Sequence, residues 1–170
     1  MEVFKGKFPV AYGQFYIVLD DDFEGDMESS FFDQRNGICG AADSSVLFFI
    51  TGLHTGKVFL EVQVLESETS IDEAYEDIVE ASFQVSSGGG SLVGWAGSPS
   101  IPLELNHGDY RVRYSAKNMG AAEESGDFDA GDIELYRVEI WPDSLRDDRV
   151  IKVTSDSARY WHEEMGGAGE

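Results

Sequence analysis

The sequence predicts an all-β fold: an antiparallel β-sandwich of Greek-key, immunoglobulin-like type, with about seven to eight strands and a short C-terminal helix. Three observations carry this expectation. Tyr110, Val112 and Tyr114 interleave with Arg111, Arg113 and Ser115, and a period of two sends the two sets to opposite faces of a strand. Strand-like runs follow one another at short spacing, with no helices alternating between them. Leu105, Gly108, Tyr110 and Val112 have the spacing of a tyrosine corner, in which a Tyr hydroxyl bonds back to the chain entering the strand. Gly108, lacking a Cβ, suits the turn before that strand. The competing reading is an ordinary hairpin with a half-buried Tyr110.

The elements follow in order. Val10 to Leu19 is aromatic and β-branched toward its end and reads as a strand. Asp20 to Glu28 is the densest acidic run, and Ser29 to Ala42 is irregular, broken by Gly37 and Gly40. Phe31 and Phe32 are expected to tuck that loop onto the core. Ser45 to Gly52 is short and continuously apolar, as a strand buried on both faces is. After a turn at His54 to Gly56, Lys57 to Leu65 alternates, and these two runs are expected to pair as a hairpin.

Asp77 to Val85 reads as another strand, and Ser86 to Ser91 as a flexible turn. Its glycines do not signal a phosphate cradle, because no helix follows them. Lys117 to Asp132 is small, acidic and glycine-containing, and is expected to be a mobile loop. Asp132 to Trp141 is the last clear strand. Its alternation slips between Leu135 and Val138, which predicts a bulge near Tyr136 and Arg137. Val150 to Thr154 is expected to add a short edge strand and Ser155 to Met165 a two-turn helix. No internal repeat or second domain is visible. The expected organisation is one domain over 1–165 and a disordered tail at 166–170.

Charge narrows the function classes. Thirty-three acidic residues face twelve basic ones among 170, for a net charge of −21. Such a field repels nucleic acid and anionic membrane and attracts cations or basic proteins. Solubility, or a high-salt host, also explains an acid-rich surface with only five lysines. No segment approaches the roughly 20 apolar residues of a membrane span, and no signal-peptide pattern appears. Cys39 is the only cysteine, which fits a reducing, cytoplasmic setting.

Catalytic patterns are weak. His54, His107 and His162 lie far apart without metal-ligand spacing, and Cys39 reads as a buried free thiol. No nucleophile elbow occurs, and abundant carboxylates carry no glycosidase signal. Asp20, Asp22, Glu24, Gly25 and Asp26 mimic the opening of a calcium loop, but its twelfth position is Phe31 and a strand precedes it. An EF-hand is excluded, leaving weak adventitious calcium binding as the residual option. No cofactor and no catalytic residue is assigned.

The sharper reading is a partner-binding anionic surface. Its candidates are Asp20, Asp21, Asp22, Glu24, Asp26 and Glu28 in one loop and Asp127, Asp129 and Asp132 in another. Trp95, Trp141 and Trp161 are candidate anchors, each also a natural core residue. Tyr12-Gly13-Gln14-Phe15, Ala41-Ala42-Asp43 before the buried strand, and Leu105 with Gly108-Asp109-Tyr110 resemble the bacterial competence protein J family. That resemblance implies a non-enzymatic cytoplasmic sandwich that binds and silences a DNA-entry nuclease. It transfers no functional residue. The expected function is therefore an acidic binding protein for a basic partner, such as a nuclease inhibitor or immunity-like antidote. The alternatives are a cation- or ligand-binding sandwich using the acidic loops, or a structural accessory domain.

Overall fold

Strands arise here wherever β-branched and aromatic residues run between glycine, proline or Asx turns. The computed structural model describes residues 1–20, 26–86, 88–95, 97–122 and 129–166. In chain order the strands are β1 (Glu2–Val10), β2 (Gln14–Val18), β3 (Cys39–Gly40), β4 (Val46–Ile50), β5 (Gly56–Val64) and β6 (Asp77–Val85). Then come β7 (Ser91–Gly94), β8 (Ser100–Pro102), β9 (Gly108–Lys117), β10 (Asp129–Pro142) and β11 (Arg149–Lys152). Helix α1 (Met27–Ser30) follows the first acidic run, and α2 (Asp156–Met165) follows β11.

Two sheets face each other. One has six strands in the order β1-β5-β10-β9-β6-β11, and the other five in the order β3-β4-β2-β7-β8. Their inner faces interlock through aromatic rings. Tyr114 of β9 meets Phe49 of β4 at 5.0 Å and Phe15 of β2 at 6.0 Å between ring centroids. Phe15 and Phe49 stack at 4.8 Å. Val58, Leu60, Val62, Val112, Val138 and Ile140 fill the space between, all fully buried. Offset and edge-on ring pairs of this kind add about 0.5–1.5 kcal/mol each beyond the burial of their area.

The β-rich, two-sheet expectation and the C-terminal helix match the molecule. Ser155 caps α2 by accepting from the Ala158 N–H at 3.0 Å, as its sequence position predicts. Strand β11 sits at a sheet edge beside β6.

Several details differ. Among the described residues eleven strands stand where about seven to eight were expected. Strand β1 was not anticipated, because Lys5, Gly6, Lys7 and Pro9 interrupt its alternation. Those residue types suit an edge strand, where lysine and proline discourage pairing with another chain. The pairing is not wholly antiparallel: β5 and β10 run parallel, with Lys57 beside Asp129 and Val64 beside Ile140.

The expected β4–β5 hairpin does not form, because the two strands lie in different sheets. The crossing segment bonds to the other sheet instead of to a hairpin partner. The Gly52 N–H donates to the Tyr136 hydroxyl at 2.9 Å, and the Leu53 N–H donates to Glu134 at 3.0 Å.

The bulge expected near Tyr136–Arg137 lies earlier, between Ala130 and Leu135. From Glu134 to Ile140 the alternation is unbroken, with Glu134, Tyr136, Val138 and Ile140 facing inward. The apparent slip arises because the apolar Leu135 lies on the half-exposed face while Glu134 faces inward. Of the expected loop between Lys117 and Asp132, residues 123–128 lie outside the described residues, as does 167–170 of the expected tail.

Candidate protein-binding site

The strand registers define two ends of the sandwich. Val10 pairs with Gly56, Lys57 with Asp129, and Lys117 with Leu135. These residues mark one end, hereafter the crossing end, where β2 begins and β4 stops. Strand β2 runs away from it, so Asp20 follows β2 at the far end. There the Asp20 N–H donates to the Ser45 carbonyl at 3.2 Å. Asp26 caps α1, accepting from the N–H groups of Glu28 at 3.2 Å and Ser29 at 3.3 Å, and Glu28 is exposed in the same turn. The backbone of Asp129 opens β10 at the crossing end, and Asp132 is exposed beyond it. The described members of the two acidic groups therefore lie at opposite ends of the sandwich. Asp21, Asp22, Glu24 and Asp127 lie outside the described residues.

Phe31 packs on Phe48 at 5.8 Å between ring centroids, as the loop reading expects. Phe32 does not tuck in: it is 75% exposed and lines a shallow groove with Asp26, Glu28, Ser29 and Ala42. Only one of Phe31 and Phe32 can face the sheet across this short turn.

A second aromatic group sits at the crossing end. Tyr12 and Gly13 join β1 to β2 with φ of 57° and 64°, and the Gln14 N–H donates to the Ala11 carbonyl at 3.3 Å. Two successive positive φ values mark a type I′ turn, whose favoured pair is Asn-Gly. Tyrosine is a strained occupant of the first central position. Gly13 is fixed by its own N–H to the His54 carbonyl at 2.6 Å and by the Thr51 N–H to its carbonyl at 2.8 Å. The turn therefore rides on the segment that carries His54. The Tyr12 ring lies 4.7 Å from that of Trp95, which follows β7, and 5.2 Å from that of His54. Tyr12 is 57% and Trp95 47% exposed. Of the three tryptophans, Trp141 is buried and Trp161 half-buried. Tyr12 enters the sequence reading within a strand and within the Tyr12-Gly13-Gln14-Phe15 resemblance, not as an exposed turn residue; the Tyr-Gly pair was the available signal.

The outer face of the six-stranded sheet holds buried charge. Glu80 receives Arg111 Nε at 3.3 Å and Arg113 Nε at 2.9 Å, and both arginines are 1% exposed. Arg113 also donates to the Thr69 carbonyl at 2.9 Å and lies over the Trp141 ring at 5.1 Å. Arg111 donates to the Asp147 carbonyl at 3.0 Å. Desolvation, then the neighbouring Arg146, pulls the Arg111 guanidinium below its usual range. These side chains tie the 66–72 and 143–148 segments onto the sheet. Their donors and acceptors are spent on the fold.

The remaining sequence candidates are structural in their contacts. Burial pushes the Cys39 thiol well up, and Asp148 adds to it. His107 lines a small cleft with Gln84, Gly108 and Asp109. His162 Nδ1 accepts from the Gly37 N–H at 2.9 Å. Among the described residues, no group of three or more His, Cys, Asp or Glu side chains is placed to hold a metal ion. The Tyr110 hydroxyl donates to the Asn106 carbonyl, and Gly108 is the first residue of β9, with φ of 152°.

No family model and no curated protein matches the chain in sequence. Two solved structures share its fold. One is ComJ, inhibitor of the DNA degrading activity of NucA, from Bacillus subtilis. It superposes with a TM-score of 0.59 at 20% identity, covering 84% of this chain and 98% of that one. The other is described as crocagin biosynthetic gene J, with a TM-score of 0.52 at 13% identity, covering 82% of this chain and 96% of that one. In its fold the chain resembles the competence protein J family.

Proposed function

We propose that this chain is a binding protein, without chemistry of its own, that engages a basic nuclease and inhibits it. The observation that carries the reading is the fold it shares with a nuclease inhibitor over most of its length. The net charge of −21 supports it. A nuclease must present positive potential to DNA phosphates, and an acidic domain is attracted to the same groove. Charge steering of this kind speeds encounter by about tenfold or more at low salt. Carboxylates at both ends supply the long-range field, while exposed aromatic side chains supply contact area. A Greek-key sandwich acting in the bacterial cytoplasm belongs to the same reading, and membranes and nucleic acids are not its partners.

The test is DNA cleavage by NucA in the presence of the purified protein, at low and then rising salt. The reading expects cleavage to be suppressed at low salt and to recover as salt rises. Undiminished cleavage at low salt contradicts it.

A further inference from the structure

Three positions at the crossing end place aromatic rings in water, and one of them does so from a strained backbone. Tyr12 occupies the first central position of a type I′ turn with φ of 57°, where asparagine is favoured and an aromatic residue is strained. Trp95 stands beside it, nearly half exposed. His54 closes the group from the β4–β5 crossing. A strained residue kept with an exposed aromatic face points to a role outside folding. Tyr and Trp are also the residue types that most often carry binding energy at protein interfaces.

Chemistry selects the occupant. The rings of Tyr12 and Trp95 are tilted by 48° at 4.7 Å and offer electron-rich faces at the surface of a chain carrying −21. That combination favours a cationic side chain, which gains both the ring quadrupole and the net field. The protein uses the same contact internally, with Arg113 over Trp141 at 5.1 Å and Arg137 over Tyr75 at 4.9 Å. A nucleobase would bring phosphates into a repulsive field. A second copy of the chain would bring a like charge.

We propose that the Tyr12–Trp95 pair, flanked by His54, is the anchor that receives an arginine or lysine side chain from the surface of the inhibited nuclease. This inference rests on the preceding reading. The turn is held by backbone hydrogen bonds from Gly13, so the anchor is set before the partner arrives. Little ordering is then lost on binding.

The experiment measures NucA binding by calorimetry and thermal unfolding for wild type, Tyr12→Asn and Trp95→Ala. Asparagine suits the turn better than tyrosine, so Tyr12→Asn is expected to keep or raise Tm while weakening binding by about tenfold or more. Trp95→Ala is expected to weaken binding by a similar factor. Unchanged binding by both variants overturns the anchor and leaves the nuclease reading standing. Failure of the wild type to bind overturns both. A wild type that elutes as a dimer while Trp95→Ala elutes as a monomer assigns the patch to self-association, which also overturns the anchor.

Discussion

The Tyr110 hydroxyl donates to the Asn106 carbonyl oxygen at 2.9 Å, closing the corner through which the chain enters β9. The Tyr110 ring stacks on Phe83 of β6 at 5.6 Å, so hydroxyl and ring are both engaged. Tyr110→Phe keeps the ring and removes only the bond. Urea unfolding is expected to show a loss of about 1 kcal/mol, the usual net worth of such a hydrogen bond. No change in midpoint would mean that the corner is incidental to β9.

Glu80 is the counter-charge for two buried guanidiniums. Glu80→Gln takes from the buried Arg111 its carboxylate partner and leaves Arg113 with Glu68 and Glu139. Breaking a buried pair in this way costs about 3–5 kcal/mol. The exposed pair Arg159–Asp156 is the control, and removing it should change stability by no more than about 0.5 kcal/mol. Equal effects from the two sites would contradict the assignment of the sheet face as dry.

His162 gives a pH dependence with a definite sign. Its Nδ1 accepts from the Gly37 N–H, so the ring is neutral in the fold. Desolvation lowers its pKa, with Asp77 and Asp148 opposing. The unfolded ring takes up its proton near the ordinary value of about 6.5, before the folded ring does. Stability therefore falls as pH drops below that point. His162→Asn can still accept from Gly37 and has no proton to gain. Its urea midpoint should fall less than that of wild type between neutral and mildly acidic pH. Parallel profiles would remove His162 from the account.

Cys39 is fully buried in β3, with its thiol pushed up by desolvation. Thiol reagents act on exposed thiolate. Labelling is expected to be negligible in the folded protein and complete after denaturation. Rapid labelling under native conditions would show that β3 opens readily.

The sequence made one class of feature legible and hid another. The period-two pattern of β9, the continuous apolar run of β4 and the Ser155 cap report local burial and local hydrogen bonding, and each stands as read. Sheet membership does not: β4 and β5 follow each other across a short turn as hairpin partners would, yet Gly52 and Leu53 bond to Tyr136 and Glu134 of the other sheet. Glu134 misled the reading of β10, because a carboxylate facing the core is unexpected until its donors are seen. These are the N–H groups of Leu53 and Ala122 and the Tyr136 hydroxyl. The acidic runs were legible as charge, but the placement of Asp20 and Asp132 at opposite ends depends on strand direction. The Tyr12–Trp95 contact joins residues far apart in the chain, and no local pattern encodes it.

The most direct measurement is the rate of DNA hydrolysis by NucA as this protein is added in low salt. The account predicts that hydrolysis falls in proportion and ends near equimolar protein. Hydrolysis that continues unaltered in large molar excess would contradict it.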